Sequence, residues 1–116
     1  SYLESLETLE TSTIGNMKQA LKHFSKFCKS KYNELDEEII SQLMKQKQDE
    51  RVTNACDVMQ SFLNYLVKQI EKPIKPSTAR GYISTVNGYF NYRGIKLSSL
   101  DMKAIRYPKE IKEENL

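Results

Sequence analysis

The chain has 116 residues, with 18 Lys+Arg against 15 Asp+Glu, a formal net charge of +3, 39% hydrophobic and 28% charged residues. That allows one modest core and one domain, and no apolar run approaches the roughly 20 residues needed to cross a bilayer. With no signal peptide at its start, no disulfide framework and no low-complexity tract, the composition predicts an intracellular globular domain.

In chain order, Ile14, Met17, Leu21, Phe24 and Cys28 recur at three- and four-residue steps. This predicts a first helix of about four turns, with Ser12 or Thr13 as its N-cap. The sequence Asn33-Glu-Leu-Asp interrupts it. Asp36 is the expected cap of a short second helix, with Leu35 packing on Ile40 as a hydrophobic staple and Ile39, Ile40, Leu43 and Met44 inward. After the polar run KQKQDE, the apolar stripe Val52, Ala55, Cys56, Met59, Phe62, Leu63, Leu66, Val67 and Ile70 predicts a long third helix. Pro73 and Pro76 end it, because proline lacks the amide donor and restricts the residue before it.

Ser77 is then the expected N-cap of a fourth helix, with Ala79, Tyr82, Ile83, Val86 and Phe90 inward. Gly94 fits a left-handed C-cap followed by apolar Ile95. Beyond Leu100 the pattern weakens. No segment alternates with period two long enough for a strand, so the expected fold is all-α, a compact bundle of four to five helices. Residues 11–100 form it, 1–10 are an N-terminal extension and 101–116 read as a linker. The first residue is Ser, not Met, which suggests an excised domain.

Cys28 and Cys56 fall on apolar helical faces, which makes them core residues, and they offer no metal-ligand spacing. His23, the one histidine, reads as a surface residue. No cofactor and no metal are expected.

Charge is sorted along the chain. Residues 1–10 carry net −3, 11–33 carry five lysines and no acid, 34–71 hold eight acids against four bases, and 72–100 hold five bases and no acid. Residues 101–116 balance. On the first helix Lys18, Lys22, Lys26 and Lys29 form one stripe opposite the Met17/Leu21/Phe24 face. Solvated faces usually mix both signs, since Glu–Lys pairs four residues apart add stability. Two helices that both leave out acids point to a polyanion, where phosphates come close.

On the fourth helix Gly81, Ser84, Thr85 and Gly88 share one face. Each helical glycine costs about 0.5–1 kcal/mol relative to alanine, so the face serves either close packing against another helix or close approach of a DNA backbone. Ser77, Thr78 and Arg80 sit at the helix start, where free amides and the dipole favour phosphate. Tyr82 and Tyr89 continue the apolar stripe and read as core or core-edge residues.

Together, STIGNMKQALKHFSKFC and KPSTARGYISTVNGYFNYRGI resemble the core-binding, SAM-like N-terminal domain of tyrosine recombinases, the phage-integrase family. Thr13, Met17, Leu21 and Phe24 fill the family's first-helix pattern, with Met17 in place of the usual aromatic. Ser77, Thr78, Ile83, Val86, Tyr89, Phe90 and Tyr92 fill that of the last helix. The resemblance spans roughly residues 10–100 and rests on hydrophobic patterns rather than invariant chemistry.

The resemblance implies double-stranded DNA binding in site-specific recombination and DNA integration. The first and last helices would present their faces to the major groove and flanking phosphates. Carried over, the DNA-binding residues are Thr13, Asn16 and Lys18 from the first helix and Lys75, Ser77, Thr78, Arg80 and Ser84 from the last. Lys22 joins them from the lysine stripe. The family's catalytic set is an Arg, a Lys, His-x-x-Arg, a further His or Trp, and a nucleophilic Tyr. His23 is followed by Phe-Ser-Lys and the chain has no Trp, so no catalytic residue is expected here. The reaction would belong to a catalytic domain of the same parent chain, beyond the linker. Recombinase protomers on DNA would be further partners, and the setting would be cytoplasmic and nucleoid-associated, prokaryotic or viral. A reading from another class is a helical protein-interaction module whose basic faces bind an acidic partner.

Overall fold

The computed structural model describes Tyr2, Glu4 and residues 11–108. Its order is α1 (Thr11–Tyr32), α2 (Asp36–Met44), α3 (Gln48–Asn64) continued by a π-helical turn (Tyr65–Gln69), α4 (Pro76–Tyr92) and the short α5 (Ser99–Met102). Among the described residues there is no strand, and the fold is all-α. No helix there is long and apolar enough to cross a membrane.

The expected apolar stripes become one core. Ala20, Phe24, Phe27 and Cys28 from α1 meet Ala55, Met59, Phe62 and Leu63 from α3 and Ala79, Ile83, Val86 and Phe90 from α4. Phe24 is the hub. Its ring packs edge-on to Phe62 at 5.2 Å and to Phe90 at 5.7 Å between centroids, the geometry that aromatic quadrupoles favour. Val58, outside the expected stripe, is also buried, whereas Val52, Val67 and Ile70 are half-exposed and Met44 is exposed.

Helix ends differ from the expected caps for local reasons. α1 is already helical at Thr11, so Ser12 and Thr13 lie in its first turn. Asn33 closes α1 at φ 54°, a left-handed position that asparagine tolerates. Leu35, not Asp36, is the N-cap of α2, and its amide donates to Glu38 Oε1 at 2.9 Å. The side chain of Leu35 is largely exposed. Arg51 reaches from α3 to cap the other end of α2, donating to the carbonyls of Leu43, Met44 and Gln46 at 2.9–3.0 Å. Lys75, not Ser77, caps α4, because Pro76 takes the first helical position, where its missing amide costs nothing.

Gly94 is as expected. At φ 97° it follows α4, with Gly94 N–H donating to Asn91 O at 3.1 Å and Ile95 N–H to Phe90 O at 2.8 Å. That is the Schellman pair, with Ile95 fully buried beyond it.

The chain past Leu100 stays on the bundle as far as Tyr107, where a linker was expected from 101. Ser98 caps α5 through Asp101, Asp101 N–H donating to Ser98 Oγ at 3.0 Å and Ser98 N–H to Asp101 Oδ2 at 2.8 Å. Ile105 is buried, and Gln60 of α3 clamps Arg106 by bonds to both its amide and its carbonyl, at 2.8 and 3.0 Å. Residues 109–116 of that expected linker lie outside the described residues. So does the expected extension 1–10, apart from Tyr2 and Glu4.

Candidate nucleic-acid interface

Side chains two residues apart on a helix point about 200° apart, so the buried Phe24 turns Lys22 and Lys26 outward. Lys18, Lys22, Lys26 and Lys29 are all exposed. Among the described residues no ion pair joins any of the four to a carboxylate. Thr13 and Asn16 are exposed as well. They lie on the angular side of Phe24 and Phe27, about two to four turns earlier, and so do not share the lysine stripe.

On α4 the expected residues divide. Lys75, Ser77 and Thr78 are exposed at the helix start. Arg80 and Ser84 lie on the flank that faces the C-terminal segment, where they line a groove with Asn87, Ser99 and Lys103. Arg80 is not extended into solvent alone, since its guanidinium lies 3.9 Å from the centroid of the Tyr107 ring, a cation–π contact. Burial pushes the Tyr107 hydroxyl pKa up, and the Arg80 charge pulls against it.

Among the described residues no helix packs on the two glycines of the small-residue face. A Cβ built at Gly81 would touch nothing within 4 Å, while one at Gly88 would lie 2.6 Å from the Tyr2 hydroxyl. Tyr2 spans this end of α4, its ring 5.6 Å from Tyr89 and 5.3 Å from Tyr92. Thr85 donates its hydroxyl back to Gly81 O at 3.2 Å.

α1 and α4 meet along an edge marked by His23, which is half-buried and stacked on Tyr82 at 5.5 Å. Partial burial, then the charges of Lys26 and Lys22, hold the His23 pKa below its ordinary value. The expected surface histidine is therefore part of the α1–α4 contact. Tyr82 and Tyr89 take their expected places at the core edge and in the core.

One cation of the acid-free stretch is neutralised from elsewhere. Arg93 Nη1 pairs with Glu37 Oε2 of α2 at 2.6 Å, and the buried Tyr89 donates its hydroxyl to Glu37 Oε1 at 2.9 Å. These bonds, Arg93 first, hold the Glu37 carboxyl below its usual range. Burial, then the bond to Glu37, pushes the Tyr89 hydroxyl up to about 12.

Cys28 is buried and its thiol is pushed up to about 12 by desolvation, with Asp36 and Glu34 adding to it. Cys56 is only half-buried, its thiol 3.7 Å from the Asp101 carbonyl. No group of three His, Cys, Asp or Glu among the described residues is placed to hold a metal ion.

The sequence reading missed Asn87, Ser99, Lys103 and Tyr107. Ser98 and Asp101, three residues apart, were a legible capping signal for α5, but nothing local foretold that the segment would fold back beside Arg80. What the fold defines is a small all-α bundle whose cations on the outer faces of α1 and the first half of α4 make no ion pair among the described residues. Compared with known protein families, curated proteins and solved structures, the chain has no significant match.

Proposed function

We propose that the chain is a double-stranded DNA-binding module of the tyrosine-recombinase core-binding type, seating a recombination half-site for a catalytic domain elsewhere in its parent protein. One observation carries the DNA reading: α1 and the N-terminal half of α4 present cations outward, neither helix carries a carboxylate, and among the described residues none pairs with these cations. Lys18, Lys22, Lys26 and Lys29 supply one face, and Lys75 at the start of α4 and Arg80 on its flank supply the rest. The all-α bundle and the hydrophobic patterns of α1 and α4 support the recombinase class. The chain's role is binding and positioning, without a reaction of its own.

Phosphate contacts set register and orientation more than base choice. Each phosphate neutralised steepens the dependence of log affinity on log salt by about 0.9. Six engaged cations would therefore lose about a thousandfold in affinity between roughly 50 and 200 mM salt. Fluorescence anisotropy with a labelled duplex at those two salts checks this, beside the K18E/K22E and R80E variants. Absence of binding at low salt, or binding indifferent to all three reversals, would refute the DNA reading and leave an acidic protein partner as the occupant of these faces.

A further inference from the structure

Between α4 and the segment carrying α5 lies a groove of about 720 Å³, with Arg80, Ser84, Asn87, Ser99 and Lys103 among its lining. Two cations, three hydroxyls (those of Ser84, Ser99 and Tyr107) and an amide line it, and among the described residues no carboxylate does. Other grooves of this molecule differ: Asp57 lines the one beside α3, and Glu37 and Glu38 line the one on α2. The acid of α5, Asp101, is turned into its own cap on the Ser98 amide.

The groove is also held in shape. Arg80 is set on the Tyr107 ring, so less side-chain freedom is lost when its planar fork engages a ligand. Tyr107 is fixed in turn, because its neighbour Arg106 is clamped at both amide and carbonyl by Gln60. In the groove wall, the Asn87 side-chain oxygen is buried and has no hydrogen-bond partner among the described residues. The same side-chain amide carries two N–H donors, which is the chemistry a phosphate oxygen accepts.

We propose that this groove binds a phosphate group, with Arg80 and Lys103 supplying charge and Ser84 and Ser99 supplying hydroxyl donors. Guanidinium and hydroxyl donors match phosphate oxygens in number and geometry. Lys103 and Ser99 are new to the binding surface and come from a stretch whose sequence gave no sign of it. The proposal rests on the DNA reading only for the source of the phosphate. A duplex backbone running past α4 and a free phosphate present the same chemistry.

The full 116-residue chain is titrated with inorganic phosphate, with chloride at matched ionic strength, and with a duplex, while backbone and side-chain amide NMR shifts are followed. Phosphate and duplex should each move Ser84, Ser99 and the Asn87 side-chain amide, and chloride should not. K103E should weaken duplex binding about tenfold, the worth of one charge-assisted contact, and flatten the salt slope by about one, with unfolding unchanged because Lys103 is exposed. Duplex binding by K103E equal to that of the parent, with K22E weakened, would overturn the groove and leave the DNA reading standing. Duplex binding absent, with phosphate shifts at the groove retained, would overturn the DNA reading and assign the groove to a free phosphate. Shifts matched by chloride, or no shifts with either phosphate source, would overturn the groove outright.

Discussion

Gly81→Ala separates what α4 needs for folding from what it offers a ligand. Gly81 is exposed in the interior of α4, and an added Cβ would meet nothing within 4 Å. The methyl therefore carries no steric cost. The Thr85 hydroxyl bond to the Gly81 carbonyl is to backbone and survives the change. What remains is the helix preference of alanine over glycine, about 0.5–1 kcal/mol in favour of the variant. In a domain of roughly 100 residues that raises the melting temperature by about 3–6 °C. Thermal and urea unfolding followed by far-ultraviolet circular dichroism measure it. If the glycine is there so that a DNA backbone can come close, the same methyl holds the phosphate off and weakens duplex binding about fivefold, ~1 kcal/mol. The two assays should move in opposite directions. A destabilised variant would refute the open surroundings assigned to Gly81, and a stabilised variant with unchanged affinity would refute close approach at this position.

Phe24→Ala removes the ring at the meeting point of α1, α3 and α4 and should cost about 3–5 kcal/mol, much of the stability of an ordinary domain. Urea denaturation checks it, with Phe24→Leu as the milder control, and a loss below about 1 kcal/mol would contradict the central place of this ring. Glu37 has its folded pKa held below the ordinary value, so its contribution is present at neutral pH and is lost as pH falls through the depressed folded value. Because its side chain is 59% exposed, that contribution is under about 1 kcal/mol. Glu37→Gln should remove this part of the acid slope in stability measured across pH, and an unaltered slope would show the pair to be idle. His23 is also depressed, so between its folded and unfolded pKa values the unfolded chain binds more protons and stability falls as pH drops below the ordinary 6.5. A duplex lying on Lys22 and Lys26 should raise the His23 pKa in NMR titrations of free and bound protein. A fall on binding would place the duplex elsewhere.

The long helices were legible because burial imposes a period. Phe24, Phe62, Ile83 and Phe90 could be assigned to a core from their three- and four-residue spacing alone, and all four are buried. Gly94 was legible because few residues other than glycine accept φ 97°. The misassigned caps show two local rules in competition. Ser77 is a good N-cap residue, but Pro76 before it prefers the first helical position, which moves the cap back to Lys75. Met44 fits the apolar period of α2 yet sits on the last turn, beyond the reach of the core, beside Gly94. α5 has four residues and no period to read. Of the candidate surface, the lysine stripe could be read because it is periodic within one helix. The groove beside Arg80 could not, because it depends on Gln60 and Arg106, which are 46 residues apart in sequence.

The pairing of Glu37 with Arg93 has a consequence for the direction of α4. Counted along the sequence, the helix and its flanks have cations at both ends. In space Arg93, which adjoins the last turn, is paired with an acid from α2 and only Lys96 is left farther along the flank, while Lys75 and Arg80 stand near the N-terminus, where the aligned peptide dipoles add their own positive end. The helix is thus electrically one-ended, its potential declining from Pro76 toward Tyr92. A polymer charged alike at every step gives no cue about which way round a partner should sit on it. The gradient belongs to the protein, and it makes the two ways of lying along such a polymer unequal in energy.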